Sequence, residues 1–416
     1  MRVLLAHKFF RDRVGGGEVW LFETARLLEA AGHQVAFLAT EHPDNRESPF
    51  SKYFVRTHDY AGGGPYQRVR ALATAMYSLS AKRSMSRLIE DFQPDVVHMM
   101  GIFSHLSTSV IDACADADVP VVMNCNDYKH ICPNYKLYHH GRLCEDCKGG
   151  RFYNALLNRC CHDSLAYSGA SMLESYAGAT IRGPFRNRAD LFLVPCQFMA
   201  DKTSEFWGEG TFRWRILRNP FTTPPVPNVE HGEYVLFFGR LVEEKGVEQL
   251  LRAAALMPEV PVRIVGSGAC ESALRAQAED AGLTNVEFLG PVWGEDMDGI
   301  LQGARVVVVP SMWHENFPYV ILQAFAAGKP VVGSDRGGIP EMLGDGARGL
   351  LYPAEEPAML AAAVQRIWAD PALWEQMGRA ARDYIAAEFG DANFIRSLVA
   401  AYEEAIESHA AGKRTT

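Results

Sequence analysis

"RVLLAHKFFRDRVGGGEVWLFETARLLEAAGHQVAFLAT" occupies residues 2–40. "RVLLAH" is an apolar run of strand length. Gly15, Gly16 and Gly17 follow it. The stretch "GGGEVWLFETARLLEAAG" spaces its apolar residues as a helix does and stops at Gly32, and "HQVAFLAT" is a second apolar run. Strand, glycine-rich turn, helix, strand is a βαβ unit, and its two strands must run parallel because a hairpin cannot join them. The fold class is therefore α/β with a parallel sheet.

The same alternation runs outward along the chain. "DVVHMM" (95–100), "PVVMN" (120–124) and "LFLVP" (191–195) read as further strands of the first half, with "LFLVP" closing it. A long helical stretch is expected over roughly 66–92. "LRNPFTTPPVPNVEHGEY" (217–234) is rich in Pro and Asn, lacks periodicity and reads as a linker. A second series follows: "YVLFFG" (234–239), "VRIVG" (262–266), "VEFLG" (286–290), "RVVVVP" (305–310), "PVVGS" (330–334) and "GLLYP" (349–353). The expected architecture is two Rossmann-like, doubly wound domains facing a cleft, since ligands of open α/β sheets bind beyond the carboxyl ends of the strands. The boundaries read as 1–217, with a Cys-rich insertion at about 125–162, then a linker at 218–233 and a second domain at 234–390. A last helix, 391–416, is expected to pack back on the first domain.

With 416 residues, 48% of them hydrophobic, the chain can bury two substantial cores. No run approaches about 18 apolar residues, so no membrane span is expected. "MRVLLAHKFF" reads as a buried strand, not a signal peptide, which implies a cytoplasmic protein. The net charge of −9 argues against general nucleic-acid binding. Residues 1–218 carry 26 Lys/Arg and 23 Asp/Glu, a balance of +3, whereas the remainder carries −12. A mildly basic first half suits an anionic partner, such as a phospholipid surface or a phosphorylated acceptor, or is ordinary scatter. The basic stretch "QRVRALATAMYSLSAKRSMSRL" (67–88) is a candidate membrane contact at the inner face, or a solvated helix face.

Four features fall at strand ends. Gly15, Gly16 and Gly17 let the backbone approach a phosphate at a helix N-terminus. Arg240 and Lys245, in "FFGRLVEEKG", are two cations in one βα loop that can clamp a diphosphate, Arg as a fork and Lys as a point charge. Gly266 and Gly268, in "VGSG", mark a turn where a base ring could lie against the backbone. In "HENFPYVILQAFAAG" (314–328), Glu315 precedes a helix whose open N-terminus favours an anion, with Pro318 in the first turn and Gly328 at the stop.

Taken in order, "FGRLVEEKG", "IVGSG", "FLG", "VPSMWHENFPYVILQAFAAGKPVV" and "GGIPEML" make Tyr234–Pro353 resemble the family 4 retaining glycosyltransferases of GT-B fold. The resemblance implies a nucleotide-sugar donor, a UDP-sugar or GDP-mannose, whose diphosphate is held by Arg240 and Lys245. It implies that Glu315 meets hydroxyls of the donor sugar and that Asn316, Phe317, Tyr319 and Val320 line the sugar and phosphate. It implies sugar transfer with retention and no metal or other cofactor in the chemistry. The acceptor would be a saccharide or a lipid-linked saccharide, in bacterial polysaccharide or glycoconjugate synthesis. Two positions depart from the family. Gln323 stands where the family has a second acid that grips the ribose, so a charge-assisted bond is lost. Asn126 stands where relatives have a His before Asp127, which leaves His98 and His105 as candidates on the acceptor side, with His130 a further one. These departures keep a second reading open: a non-catalytic nucleotide-sugar-binding subunit, or a sugar-nucleotide epimerase on the same fold.

Cys132, Cys144, Cys147 and Cys160, with Cys161 as an alternate, crowd "CPNYKLYHHGRLCEDCKGGRFYNALLNRCC". A Cys-x2-Cys flanked on each side by a cysteine twelve or thirteen residues away reads as a four-sulfur structural zinc site. Free thiols and disulfides are the alternatives.

Overall fold

The computed structural model describes residues 1–12, 16–56, 72–222 and 231–413. Gly15, half of the linker and part of the basic stretch at 67–88 lie outside them. The strands of the first half are β1 (Arg2–His7), β2 (Gln34–Leu38), β3 (Val96–Met100), β4 (Val121–Asn124), β5 (Tyr138–His139), β6 (Arg142–Leu143), β7 (Leu191–Val194) and β8 (Trp214–Ile216). Those of the second are β9 (Tyr234–Phe238), β10 (Val262–Val265), β11 (Val286–Gly290), β12 (Ala304–Val309), β13 (Val331–Ser334) and β14 (Gly349–Tyr352). The chain divides into two compact units. One comprises Met1–Leu137, Glu145–Pro220 and the segment from Asp391 onward, the other Tyr138–Cys144 and Phe221–Gly390.

In the first unit the strand order is β2-β1-β3-β4-β7-β8, all parallel. The strands β1, β2, β3, β4 and β7 are each short, mostly apolar runs, as expected of strands covered by helices on both faces. The sheet does not close at β7. Trp214–Ile216 adds an eighth, mostly exposed edge strand, too short and too polar to show an apolar pattern. The long helix expected over 66–92 is interrupted. Ser78 caps a helix that runs Leu79–Phe92, its Oγ accepting the Ala81 N–H at 3.2 Å. The helix Asp391–Lys413 buries Leu398, Ala401, Tyr402 and Ala405 in the core that holds Leu5, Trp20 and Val96. Their spacing of three and four residues is that of one helix face.

In the second unit the order is β11-β10-β9-β12-β13-β14, again all parallel. Its core gathers Val235, Phe237, Leu250, Ile264, Val308, Val364 and Trp374. Both orders have one place where the chain leaves for one side of the sheet and then returns to build the other. It lies between β1 and β3 in the first unit, and between β9 and β12 in the second. Adjacent loops diverge there and open a crevice at the carboxyl ends of the strands.

Candidate functional site

The crevice of the second unit is built from loops that follow β9, β12 and β13. After β9 the chain makes a short 3-10 turn, Glu243–Lys245, closed by Gly246 at φ +66°. A Cβ on Gly246 would stand 1.9 Å from the Pro310 carbonyl oxygen, so only glycine lets this loop lie against the one after β12. Met312 N–H donates to the Glu244 carbonyl at 2.9 Å and ties the two loops together.

This brings Lys245 to Glu315, seventy residues away in sequence. Lys245 Nζ lies 2.6 Å from Glu315 Oε1, and Ser311 Oγ donates to the same oxygen at 2.6 Å. The carboxylate side chain is 6% exposed and the lysine 20%. Burial alone would raise the Glu315 pKa. The Lys245 charge and the hydrogen bonds from Lys245 and Ser311 outweigh it and hold the carboxyl below its usual range. Lys245 Nζ also lies 5.5 Å from the Trp313 ring centroid. The buried Trp313 indole N–H faces the same carboxylate and adds to that lowering.

The loop after β13 fixes the backbone of Glu315. Gly338 N–H donates to the Glu315 carbonyl at 2.7 Å. Gly337 sits at φ +63°, where a Cβ would stand 2.0 Å from that oxygen. The helix that follows runs Tyr319–Ala326, with Pro318 as its N-cap residue outside the first turn. Gly328, at φ +67°, and Lys329 close it with bonds to Phe325 and Ala324. Asn316 and Phe317 are buried, Tyr319 and Val320 half-buried, and Gln323 exposed on the second turn. Arg240 is largely exposed, 3.9 Å from Glu244.

Gly266 and Gly268 have a use other than admitting a base ring. Their missing Cβ atoms would stand 1.8 Å from the Gly239 carbonyl oxygen and 2.3 Å from that of Leu241. Glycine is required so that the "VGSG" turn can press against the Arg240 loop.

In the first unit, the helix after β1 starts at Gly16. The His7 ring sits at the end of β1, and a Cβ on Gly17 or Gly101 would come within 3.1 or 3.0 Å of its Nε2. Burial pushes the His7 pKa down to about 4. His98 is not at the strand ends. It is buried on β3 with Nδ1 2.7 Å from the Tyr402 hydroxyl and its ring edge-on to Trp20, and burial lowers its pKa to about 3. It is a core residue that seats the last helix, and the acceptor-side expectation for it is corrected. His130 is likewise buried, held by Thr203 Oγ1 at 2.8 Å. His105, Asn126 and Asp127 stay half-buried near the strand ends. Asp127 accepts the Lys129 N–H at 2.9 Å, and burial raises its pKa. The pattern of residues missed one strong pair here. Lys129 Nζ lies 2.9 Å from Glu174, which also accepts from the Ser104 backbone. The signal was available: Glu174 is the one charged residue in the helix Leu165–Thr180.

No disulfide is formed by any of the nine cysteines. Cys132 and Cys147 are buried, and Cys144, Cys160 and Cys161 are partly so. The metal-capable group that the described residues draw together is local: His139, Cys144 and Asp146 place ligand atoms within 4.8 Å of one another. Cys144 is the one member of the four-sulfur set in that group.

Two family models match. "Glycosyl transferases group 1" covers residues 222–384, and "Glycosyltransferase Family 4" covers residues 14–222, half of the chain. The chain belongs to glycosyltransferase family 4. Among relatives, a D-inositol 3-phosphate glycosyltransferase of Corynebacterium kroppenstedtii is 35% identical over 188 residues, 42% of this chain and 41% of that one. The D-rhamnosyltransferase WbpZ of Pseudomonas aeruginosa is 34% identical over 170 residues, 39% and 44% of the two chains. Each match thus spans about two-fifths of the relative's length. Among solved structures, sucrose-phosphate synthase from Thermosynechococcus elongatus aligns with a TM-score of 0.70 at 18% identity, covering 97% of this chain and 99% of that one. Anabaena Alr3699/HepE in complex with UDP aligns with a TM-score of 0.63 at 17% identity, covering 96% and 98%. The fold of this family 4 member is GT-B: two units, each with a six-stranded parallel sheet.

Proposed function

We propose that this family 4 member transfers a sugar, with retention, from a nucleotide diphosphate sugar to a saccharide or lipid-linked saccharide acceptor. The observation that carries the reading is the Lys245–Glu315 pair, 2.6 Å apart, at the point where the second sheet reverses direction. A half-buried ammonium beside a buried carboxylate offers a cation for a diphosphate and an acceptor for sugar hydroxyls within one small volume. When the anomeric C–O bond breaks, negative charge grows on the leaving diphosphate. Lys245, Arg240 and the N–H groups at the start of the Tyr319–Ala326 helix are preorganised donors for that charge, and losing one such donor costs about a hundredfold or more in rate. Lys245 reaches the phosphate by exchanging its partner, which frees Glu315 for the sugar. In this reading no divalent cation takes part in the step. UDP in an Anabaena structure of the same fold makes a UDP-sugar the first donor to try, with GDP-mannose beside it.

The test is product analysis with UDP-sugars and GDP-mannose, with and without chelator, against saccharide acceptors. Nucleotide release that tracks a new α-glycoside, abolished by Glu315→Gln and by Lys245→Met, is the expected result. Donor binding without any transfer across the panel would favour the binding-subunit reading, which Gln323 and Asn126 keep in play. For the cysteine block we propose structural zinc. Cys144→Ser removes a ligand common to the four-sulfur set and to the His139 group, so it should lower the zinc content of the purified protein. Cys160→Ser lowers it only under the four-sulfur set.

A further inference from the structure

The loop after β1, residues 8–12, opens onto the crevice of the first unit, where the sheet order reverses between β1 and β3. Its backbone is tied down. His7 Nδ1 lies 2.8 Å from the Phe9 carbonyl oxygen, Thr40 N–H donates to the Lys8 carbonyl at 3.2 Å, and Arg46 N–H donates to that of Phe10 at 2.9 Å. Phe10 enters the core, and Phe9 stays half-buried. Three basic side chains gather on the Phe9 ring. Lys8 Nζ lies 5.3 Å from its centroid and the Arg11 guanidinium carbon 5.1 Å. The His105 ring, from the loop after β3, meets it edge-on at 5.4 Å.

An aromatic face attracts a cation through its quadrupole but carries no net charge, so it gathers cations without neutralising them. The acids close by are engaged elsewhere. Asp12 is paired with Arg46, and Glu174 with Lys129. Asp127 accepts the Lys129 N–H, and burial raises its pKa. Neither Lys8 nor Arg11 forms an ion pair with a carboxylate among the described residues. Arg11 donates to His42, and its Nε–H is buried without a hydrogen-bond partner among the described residues. A buried donor in that state is completed by a ligand or a water. Burial and the Lys8 charge lower the His105 pKa, so this ring stands neutral beside the two cations.

Two cations held on one ring repel each other. An anion between them removes that cost, and a neutral hydroxyl does not. An arginine fork beside a lysine point charge is also the donor set that suits an oxyanion. With the donor diphosphate taken by Lys245 and Arg240 in the second unit, this crevice is left for the acceptor. We propose that the acceptor is an acidic saccharide, bearing a carboxylate or a phosphate ester, and that Lys8 and Arg11 bind its anionic group. That the bound molecule is an acceptor rests on the transfer reading; that the site takes an anionic saccharide does not.

The test is titration calorimetry of the full chain with p-nitrophenyl β-glucuronide and glucose-6-phosphate, each against its neutral counterpart, the β-glucoside and glucose. The anion the site fits should bind about tenfold or more tighter than its counterpart, the scale of a charge-assisted hydrogen bond. The glucuronide arm reports a carboxylate and the other arm a phosphate. Lys8→Gln and Arg11→Gln should each weaken that anion about tenfold, leaving the neutral probe and UDP unaffected, while Lys8→Arg keeps the preference. Unchanged circular dichroism and an unchanged melting temperature show that the variants are folded. Wild-type protein that binds neither anion tighter than its counterpart, or folded glutamine variants that keep the preference, would overturn the proposal. So would a preference abolished by Lys245→Met, because the anion would then sit in the second unit. A preference that holds while no sugar transfer is found leaves this site standing and removes the transfer reading.

Discussion

Replacing Lys245 by Met should strand the Glu315 carboxylate, and the cost can be worked from the geometry. At 2.6 Å and an effective dielectric of about 20, the two charges attract by roughly 6 kcal/mol gross. Desolvating the ammonium and the carboxylate opposes most of that, but the variant recovers only the lysine's share. Removing one partner of a buried pair costs about 3–5 kcal/mol. Lys245 retains some solvent contact and Ser311 still donates to the carboxylate, so the lower end, about 3 kcal/mol, is expected. In a unit of this size that is a fall of about 6–12 °C in melting temperature. The pH dependence gives the sign. In the wild type the Glu315 pKa is lowered on folding, so its contribution is present above the unfolded pKa and is lost as pH falls through the folded one. Without Lys245, burial dominates and the folded pKa rises, so the variant's deficit shrinks as the solution is acidified and the carboxyl protonates. Lys245→Met with Glu315→Gln should recover most of the stability and none of the transfer activity. Denaturant titrations of the wild type and the two variants at neutral and mildly acidic pH decide the matter. A Lys245→Met deficit within about 0.5 kcal/mol, the range of an ordinary surface substitution, would refute the reasoning. So would a deficit that does not change with pH.

Gly337→Ala forces a Cβ onto the Glu315 carbonyl and a side chain into left-handed backbone. Transfer should drop about a hundredfold, the scale of a 1 Å misplacement, while stability falls by about 1–2 kcal/mol; kcat per folded molecule separates the two effects. His7, His98 and His130 are buried with pKa values of about 4, 3 and 4, so the unfolded chain binds more protons than the native one below the ordinary histidine pKa. Stability should therefore fall on acidification. Replacing His98 by Gln should flatten that slope by about 1.4 kcal/mol per pH unit, as read from denaturation midpoints across the acid range, with transfer activity unchanged. Gln323→Glu restores a charged acceptor on the exposed second turn of the Tyr319–Ala326 helix; calorimetry should show nucleotide binding about five- to tenfold tighter, and an unchanged affinity would remove this residue from the ribose site.

Much of the fold was legible because burial on both faces of a parallel sheet leaves an unmistakable trace. Each of β1, β3, β4, β7 and the six strands of the second unit is a short Val/Leu/Ile/Phe-rich run. What escaped was structure without such a trace. The edge strand Trp214–Ile216 and the hairpin Tyr138–Leu143 are only two or three residues per strand and polar or exposed in part. The helix break at Ser78 depends on a capping bond, and serine in a periodic stretch does not announce which bond it will make.

The site divided in the same way. Arg240, Lys245 and Glu315 could be picked out because charged residues after apolar strands stand out from their surroundings. Their relation could not. Nothing local indicates that residues 245 and 315 meet, or that Gly246 and Gly337 exist to let loops touch. His98 shows the opposite failure: a histidine at a strand in a promising half became, once Tyr402 folded over it from three hundred residues away, a packing residue. Local periodicity and turn chemistry follow from steric and hydrophobic rules that act within a few residues, so the sequence by itself determined the alternation of strand and helix, the parallel sheets and the loops that bear the charges. Which of those charges are buried, paired or left facing solvent depends on long-range approach and the dielectric it creates. Only the tertiary structure decided that Lys245 holds Glu315, that Glu174 turns inward, and that Lys8 and Arg11 gather on the Phe9 ring.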